Sequence, residues 1–288
     1  MRILACLGIS NAAGWAFSNT ISGNAEVFNH YGIQFASGVS IMKGIATGDR
    51  MRENRVSQLS ELSSERRNLD VMVLRNPNFF CDPDRMLEPD GTLLPTAELI
   101  AGYLNHALSE FDLDVLLSIE PFPNYAIKNK KLTFRQTMDG LSRSELIHLS
   151  WREQIIRICQ ALPNARISLV SDHSIPGIFA PLLQAFLPRF PETELIQSTD
   201  AFQASVGSNL RIAEDILDLV ESREDPDEKA RHFMQIFATG DAGPTHDAIA
   251  TELGLHKSII VDLIESYFAD IEYLSNIEIE NLDTSFLG

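Results

Sequence analysis

Met1-Arg-Ile-Leu-Ala-Cys-Leu-Gly8-Ile-Ser10-Asn11-Ala12-Ala13-Gly14-Trp15 opens the chain. Residues 2–7 are apolar enough for a buried strand, residues 8–14 are small and turn-forming, and residues 15–31 predict a helix that runs into Gly32. A helix entered this way presents free backbone N–H groups and a positive dipole end, which suits a phosphate or another anion. The loop holds no lysine or arginine, so its donors are the amides of Ala12, Ala13 and Gly14 and the side chains of Ser10 and Asn11.

Working outward, further strands are predicted at residues 70–74, 113–118 and 166–170, with weaker ones at 32–35 and 194–197. The stronger runs are rich in Val, Ile and Leu without alternation, as strands covered on both faces should be. Helical spacing lies between them at residues 96–111, 144–162 and 175–187. Strands alternating with helices imply βαβ units, and hence a three-layer α/β fold with a parallel sheet flanked by helices. Two irregular stretches interrupt this pattern. Residues 76–94 contain Asp82-Pro83 and Asp90-Gly91, and residues 120–131 contain Pro121, Pro123 and a Lys-Asn-Lys-Lys run.

After residue 208 the strand signals stop. Helices are predicted at 210–220, 227–239, 245–253 and 256–269, so residues 1–208 read as the sheet domain and 209–288 as an acidic helical lobe packed on it. The whole chain carries a formal charge of −17. Its last 80 residues hold 18 acidic and 5 basic side chains, which places −13 of that charge there. Such a balance argues against nucleic acid or an anionic membrane as partner, and it directs an anionic small ligand to the N-terminal part. Residues 245–267 have the outline of a helix-turn-helix, but the second helix carries Lys257 against Asp262 and Glu265. It is therefore expected to be a packing hairpin and not a DNA reader.

At 288 residues, with 44% hydrophobic content, the chain can bury a large core. No apolar run approaches the roughly 20 residues of a membrane span. The N-terminus lacks the apolar segment and cleavage site of a signal peptide. Cys6, Cys81 and Cys159 are odd in number and widely spaced. They predict small buried hydrophobes in a reducing, cytoplasmic setting. The seven histidines are scattered, and no metal site is expected.

The first strand-loop-helix, with Gly8, the loop at Ser10–Trp15, Asn24 and Gly32, resembles that of bacterial sulfotransferases that use a sulfated adenosine nucleotide. Leu116-Leu117-Ser118-Ile119-Glu120 is similar to the strand of that family ending in Ser-Ser-Glu. The helix at 144–162 leading into strand 166–170 is similar to the unit whose end binds the 3′-phosphate. Tyr267-Phe-Ala-Asp270 is a looser likeness. The resemblance implies a P-loop-like scaffold and adenosine 3′-phosphate 5′-phosphosulfate as donor. It also implies a small-molecule or glycan acceptor, and a homo-oligomer is compatible with it. The chain departs from the pattern at Asn11, where the family has lysine, and at Ala13, where it has glycine. Ser171-Asp172-His173 stands where an arginine is expected, and Ala180 where a serine is.

The candidate site residues follow from both readings. Ser10, Asn11, Ala12, Ala13 and Gly14 would hold a donor or other ligand. Trp15 would stack on it or pack in the core, and Asp172 would lie at its far end or cap a helix. Glu120 or His173 would take an acceptor's proton. The expected function is a sulfotransferase-like protein binding an anionic or polar small ligand at the first loop. Alternatives are a non-catalytic protein- or glycan-binding member of the fold, or a transferase that holds a sugar nucleotide on a different doubly wound sheet.

Overall fold

The computed structural model describes residues 1–8, 25–36, 70–76, 79–80, 87–88, 91–129, 140–142, 145–146, 149–171, 185–186 and 246–287. The described strands are β1 (Arg2–Gly8), β2 (Ile33–Ala36), β3 (Val71–Asn76), β4 (Asp112–Ile119), β5 (Arg166–Ser171) and β6 (Leu282–Asp283). The described helices are α1 (Ala25–His30), α2 (Ala97–Ala107), α3 (Phe122–Asn129), α4 (Trp151–Ala161), α5 (His246–Leu253) and α6 (Lys257–Asn276). The strands form one sheet in the order β2-β3-β1-β4-β5-β6, and every pair in it is parallel.

The apolar runs do not alternate because both faces of the sheet are covered. Ile3, Ala5, Leu7, Leu113, Val115, Leu117, Ile119, Ile167 and Leu169 share one core with buried residues of α2, α4 and α6. Residues of the opposite parity, including Leu4, Cys6, Val73, Leu116 and Val170, are buried as well. A strand alternates its side chains between faces, so these belong to the second face. Burying one leucine or isoleucine fully contributes about 1.5–3 kcal/mol before the entropy of ordering is set against it.

Local signals set the helix ends. One helix was expected over residues 144–162; residues 145–146 are helical, but α4 itself begins at Trp151. Ser150 is extended there, and its Oγ accepts from the Arg152 amide, which starts the helix at this point. Residues 120–131, expected as a loop, contain α3. Pro123 falls in its first turn, where the missing N–H costs nothing, and the amides of Asn124 and Tyr125 both reach the Pro121 carbonyl. Gly254 adopts a positive φ of 69° between α5 and α6, and the Leu255 amide closes back on the Ala250 carbonyl at 3.0 Å. Expected to end near residue 269, α6 continues to Asn276 because Ile271 and Leu274 prolong its apolar stripe onto the core.

The segment expected to be helical throughout also contributes β6, which pairs with β5 through Ile167–Leu282 and Ser168–Asp283. Asn281, just before β6, donates from Nδ2 to the carbonyls of Leu162 (2.7 Å) and Cys159 (3.1 Å) at the end of α4. Its own carbonyl accepts from the Ile167 amide at 2.8 Å. The strand expected at 194–197 and the helices expected at 175–187, 210–220 and 227–239 lie wholly or largely outside the described residues.

Candidate functional site at the carboxyl edge of the sheet

Strand order locates the site. From β1 the chain moves toward β2 on one side, and from β4 it moves toward β5 on the other, while β1 and β4 are hydrogen-bonded neighbours. Ligands of open parallel sheets bind outside the carboxyl ends of two such diverging strands. At that edge Gly8, the last residue of β1, lies in register with Ser118 of β4. Ile119 of β4 lies in register with Ser171, the last residue of β5.

Glu120 follows β4 directly and is 1% exposed. Its backbone carbonyl accepts from the indole Nε1 of Trp151 at 3.0 Å. That indole stacks on Phe122, with ring centroids 4.5 Å apart and planes 15° from parallel. Ser118 is buried on the same strand end. Ser171 Oγ shares a short hydrogen bond with the Tyr267 hydroxyl, which also reaches the Ile119 carbonyl at 3.4 Å. One turn later on α6, Asp270 accepts from Ser150 Oγ at 2.8 Å and from the Trp151 amide at 2.6 Å. Arg152 Nε stands 3.4 Å from the same carboxylate. Burial pushes the Asp270 carboxyl above the usual carboxylate range. The hydrogen bonds from Ser150 and Trp151 and the charge of Arg152 pull the other way.

A carboxylate seated in this buried position can take a proton from a hydroxyl or fix the hydrogen bonds of a ligand. Of the residues expected at the site, Glu120 is placed at this edge with Ser118 beside the end of β1. Ser10, Asn11, Ala12, Ala13, Gly14, Trp15, Asp172 and His173 lie outside the described residues. In sequence, Ser10 comes two positions after Gly8, and Asp172 comes one after Ser171. The roles of Trp151, Tyr267 and Asp270 were not read from the sequence. Their signal is that polar Asp270 and Tyr267 sit three apart on the buried stripe of α6, with Leu263 and Leu274.

Among the described residues, no group of three His, Cys, Asp or Glu side chains is arranged to hold a metal ion. No described helix is long and apolar enough to cross a membrane. Cys6 and Cys159 are buried cysteines outside any disulfide, and burial pushes the Cys159 thiol up to about 12. Cys159 is therefore no nucleophile at neutral pH. Cys81 lies outside the described residues.

In comparisons of the chain with protein-family models, curated proteins and solved structures, nothing matches.

Proposed function

We propose that this protein binds an anionic or polar small molecule at the carboxyl edge between β1 and β4, on a sulfotransferase-like, P-loop-like scaffold. The observation that carries the reading is the pairing of Gly8 with Ser118 where β1 and β4 diverge, with Glu120 buried at the end of β4. This register sets Gly8, two positions before Ser10 in sequence, beside Ser118, and Ser10–Trp15 and Ser118–Glu120 are the two segments that resemble the family most. In this reading Asn11 and the amides of Ala12, Ala13 and Gly14 hold the ligand, and Trp15 and Asp172 border it. Where a group is transferred, Glu120 or His173 takes the acceptor's proton. The donor implied by the resemblance is adenosine 3′-phosphate 5′-phosphosulfate, and the acceptor a small molecule or glycan.

Charge stabilisation is the main catalytic tool in transfers of this kind, and Asn11 has no charge to give. That single residue favours a second reading, a non-catalytic member of the fold that binds a protein or glycan. Calorimetry with 3′,5′-adenosine bisphosphate separates the two. A saturable heat in the millimolar range or below supports nucleotide use, and no heat at millimolar ligand rules it out.

A further inference from the structure

α6 runs for 20 residues, from Lys257 to Asn276, or about 30 Å. Its buried stripe is Ile260, Leu263, Tyr267, Asp270 and Leu274, at alternating steps of three and four. One position further along runs a second apolar line, Val261, Ile264, Phe268 and Ile271, with the same steps. At about 100° per residue, Val261 and Phe268 lie on the side of α6 turned away from Leu263 and Asp270, with Ile264 and Ile271 between the two lines. Ile264 and Ile271 are partly buried against the core, whereas Phe268 is 50% exposed. A helix that buries one stripe is ordinarily polar elsewhere. The outer line is therefore surplus to the fold.

The charge around that line has one sign. Glu265 and Glu272 flank Phe268 at i−3 and i+4, and both are exposed. Residues 258–288 hold seven Asp or Glu and no Lys, Arg or His. The one lysine of α6, Lys257, stands at its start and pairs with Asp247. The adjoining side of the helix shows what such groups accommodate. Arg152 of α4 lies over the Tyr273 ring at 4.9 Å, with its Nε 3.4 Å from Asp270. A guanidinium is thus seated against a ring and a carboxylate of α6, as cation–π and ionic attraction favour. Phe268, with Glu265 and Glu272, repeats that pairing of ring and carboxylate at the exposed surface.

We propose that the outer face of α6, from Val261 to Ile271, docks a basic amphipathic helix of another protein. Phe268 is the anchor, and Glu265 and Glu272 take the partner's lysines or arginines. Steps of three and four are the pattern by which helices pair side by side, and the charges flanking the seam choose the partner. A second copy of this chain would bring the same carboxylates to the face and be repelled; a cationic helix is drawn to it. The line is only about 15 Å long, which suits a transient contact and not a permanent one. The face is distinct from the sheet edge, and its docking holds under either reading of that edge.

Titration of the isotope-labelled full chain with three synthetic peptides of roughly three heptads tests this. The first has leucine at a and d and lysine at e and g. The second has glutamate in place of lysine, and the third has the first one's composition in scrambled order. The first should bind with a dissociation constant of roughly 10–100 µM. It should move the amides of Glu265, Phe268 and Glu272 and leave those of β1 in place. Affinity should fall about tenfold or more for the other two peptides, and likewise for the first peptide with Phe268→Ser. Unchanged β1 amides show that this variant is folded. Equal binding of the scrambled peptide overturns the proposal, because bare negative charge then suffices. So do equal binding of the glutamate peptide, no binding at millimolar peptide, and shifts centred away from α6; none of these outcomes needs a variant. Full affinity in Phe268→Ser overturns it as well. Sedimentation of the wild type as a dimer that Phe268→Ser dissociates would give the face to a second copy instead.

Discussion

The two faces of the sheet are made by the same strands and are equally buried, yet their chemistry differs. Toward α2, α4 and α6 the strands present Ile3, Ala5, Leu7, Leu113, Val115, Leu117, Ile119, Ile167 and Leu169, an apolar layer that turns polar only at Ser171, the last residue of β5. The other face carries Leu4, Cys6, Leu116 and Val170, but also Asp114, Ser118 and Ser168, each 5% exposed or less. Buried polar groups cost free energy unless they are bonded, so each needs a partner. Asp114 has two: Arg2 of β1 through Nε, and Arg166 of β5 through Nε at 2.8 Å. Arg2 also donates to the Phe186 carbonyl at 2.8 Å, and both guanidinium groups lie over the Phe186 ring. That ion cluster closes the amino end of the second face, and Ser118 sits at its carboxyl end beside Gly8. One face supplies cohesion. The other supplies a pinned end and a polar end, and the polar end is where the proposed ligand would sit.

The largest effect expected lies on the apolar side. Trp151 is fully buried, stacks on Phe122 and holds the Glu120 carbonyl. Trp151→Ala should cost about 4 kcal/mol, read as a lowered urea midpoint; a loss below about 1 kcal/mol would remove Trp151 as the joint between the two helices and the site. On the second face, Asp114→Ala should cost about 3 kcal/mol, near the lower end for breaking a buried pair because Arg166 is half-exposed. A cost near zero would erase the contrast between a pinned amino end and a polar carboxyl end.

How far this contrast can be read in the sequence depends on what carries it. The run Arg2–Gly8 and the largely apolar Asp112–Ile119 announce buried strands directly, because apolar content over six or more residues is a local property. Asp114 interrupts that run and is legible as an anomaly, but its two arginine partners lie 112 and 52 residues away. Nothing local names them. The strand order was equally hidden, since β3 slips between β2 and β1 only through pairings distant in sequence. Of the site, Glu120 was legible as an acid at a strand end. Asp270 entered only through the looser likeness Tyr267–Asp270, one residue past the expected helix end, and its place at the start of α4 follows from packing. The segment after residue 208 hid β6, because two residues are too few to show a period.

A smaller effect sharpens the functional half of the comparison. Returning the charge that the family's loop carries, Asn11→Lys should strengthen binding of 3′,5′-adenosine bisphosphate about tenfold, the scale of one hydrogen bond to a charged group. Unchanged affinity in a titration would separate this loop from the ligand. Smallest in energy is the behaviour of Cys159 on the buried side of α4. With its thiol pushed up to about 12, it should resist alkylation at neutral pH until the protein unfolds. Rapid labelling of the native chain at Cys159 would show that the apolar layer is open.

The most direct test of the central claim maps the ligand onto the sheet. Titration of the isotope-labelled protein with 3′,5′-adenosine bisphosphate should move the amide resonances of Gly8, Ser118 and Glu120 and leave those of Arg2, Asp114 and Arg166 in place. Shifts confined to the amino end of the sheet, or none at Gly8, Ser118 and Glu120 at millimolar ligand, would contradict a nucleotide site at the carboxyl edge.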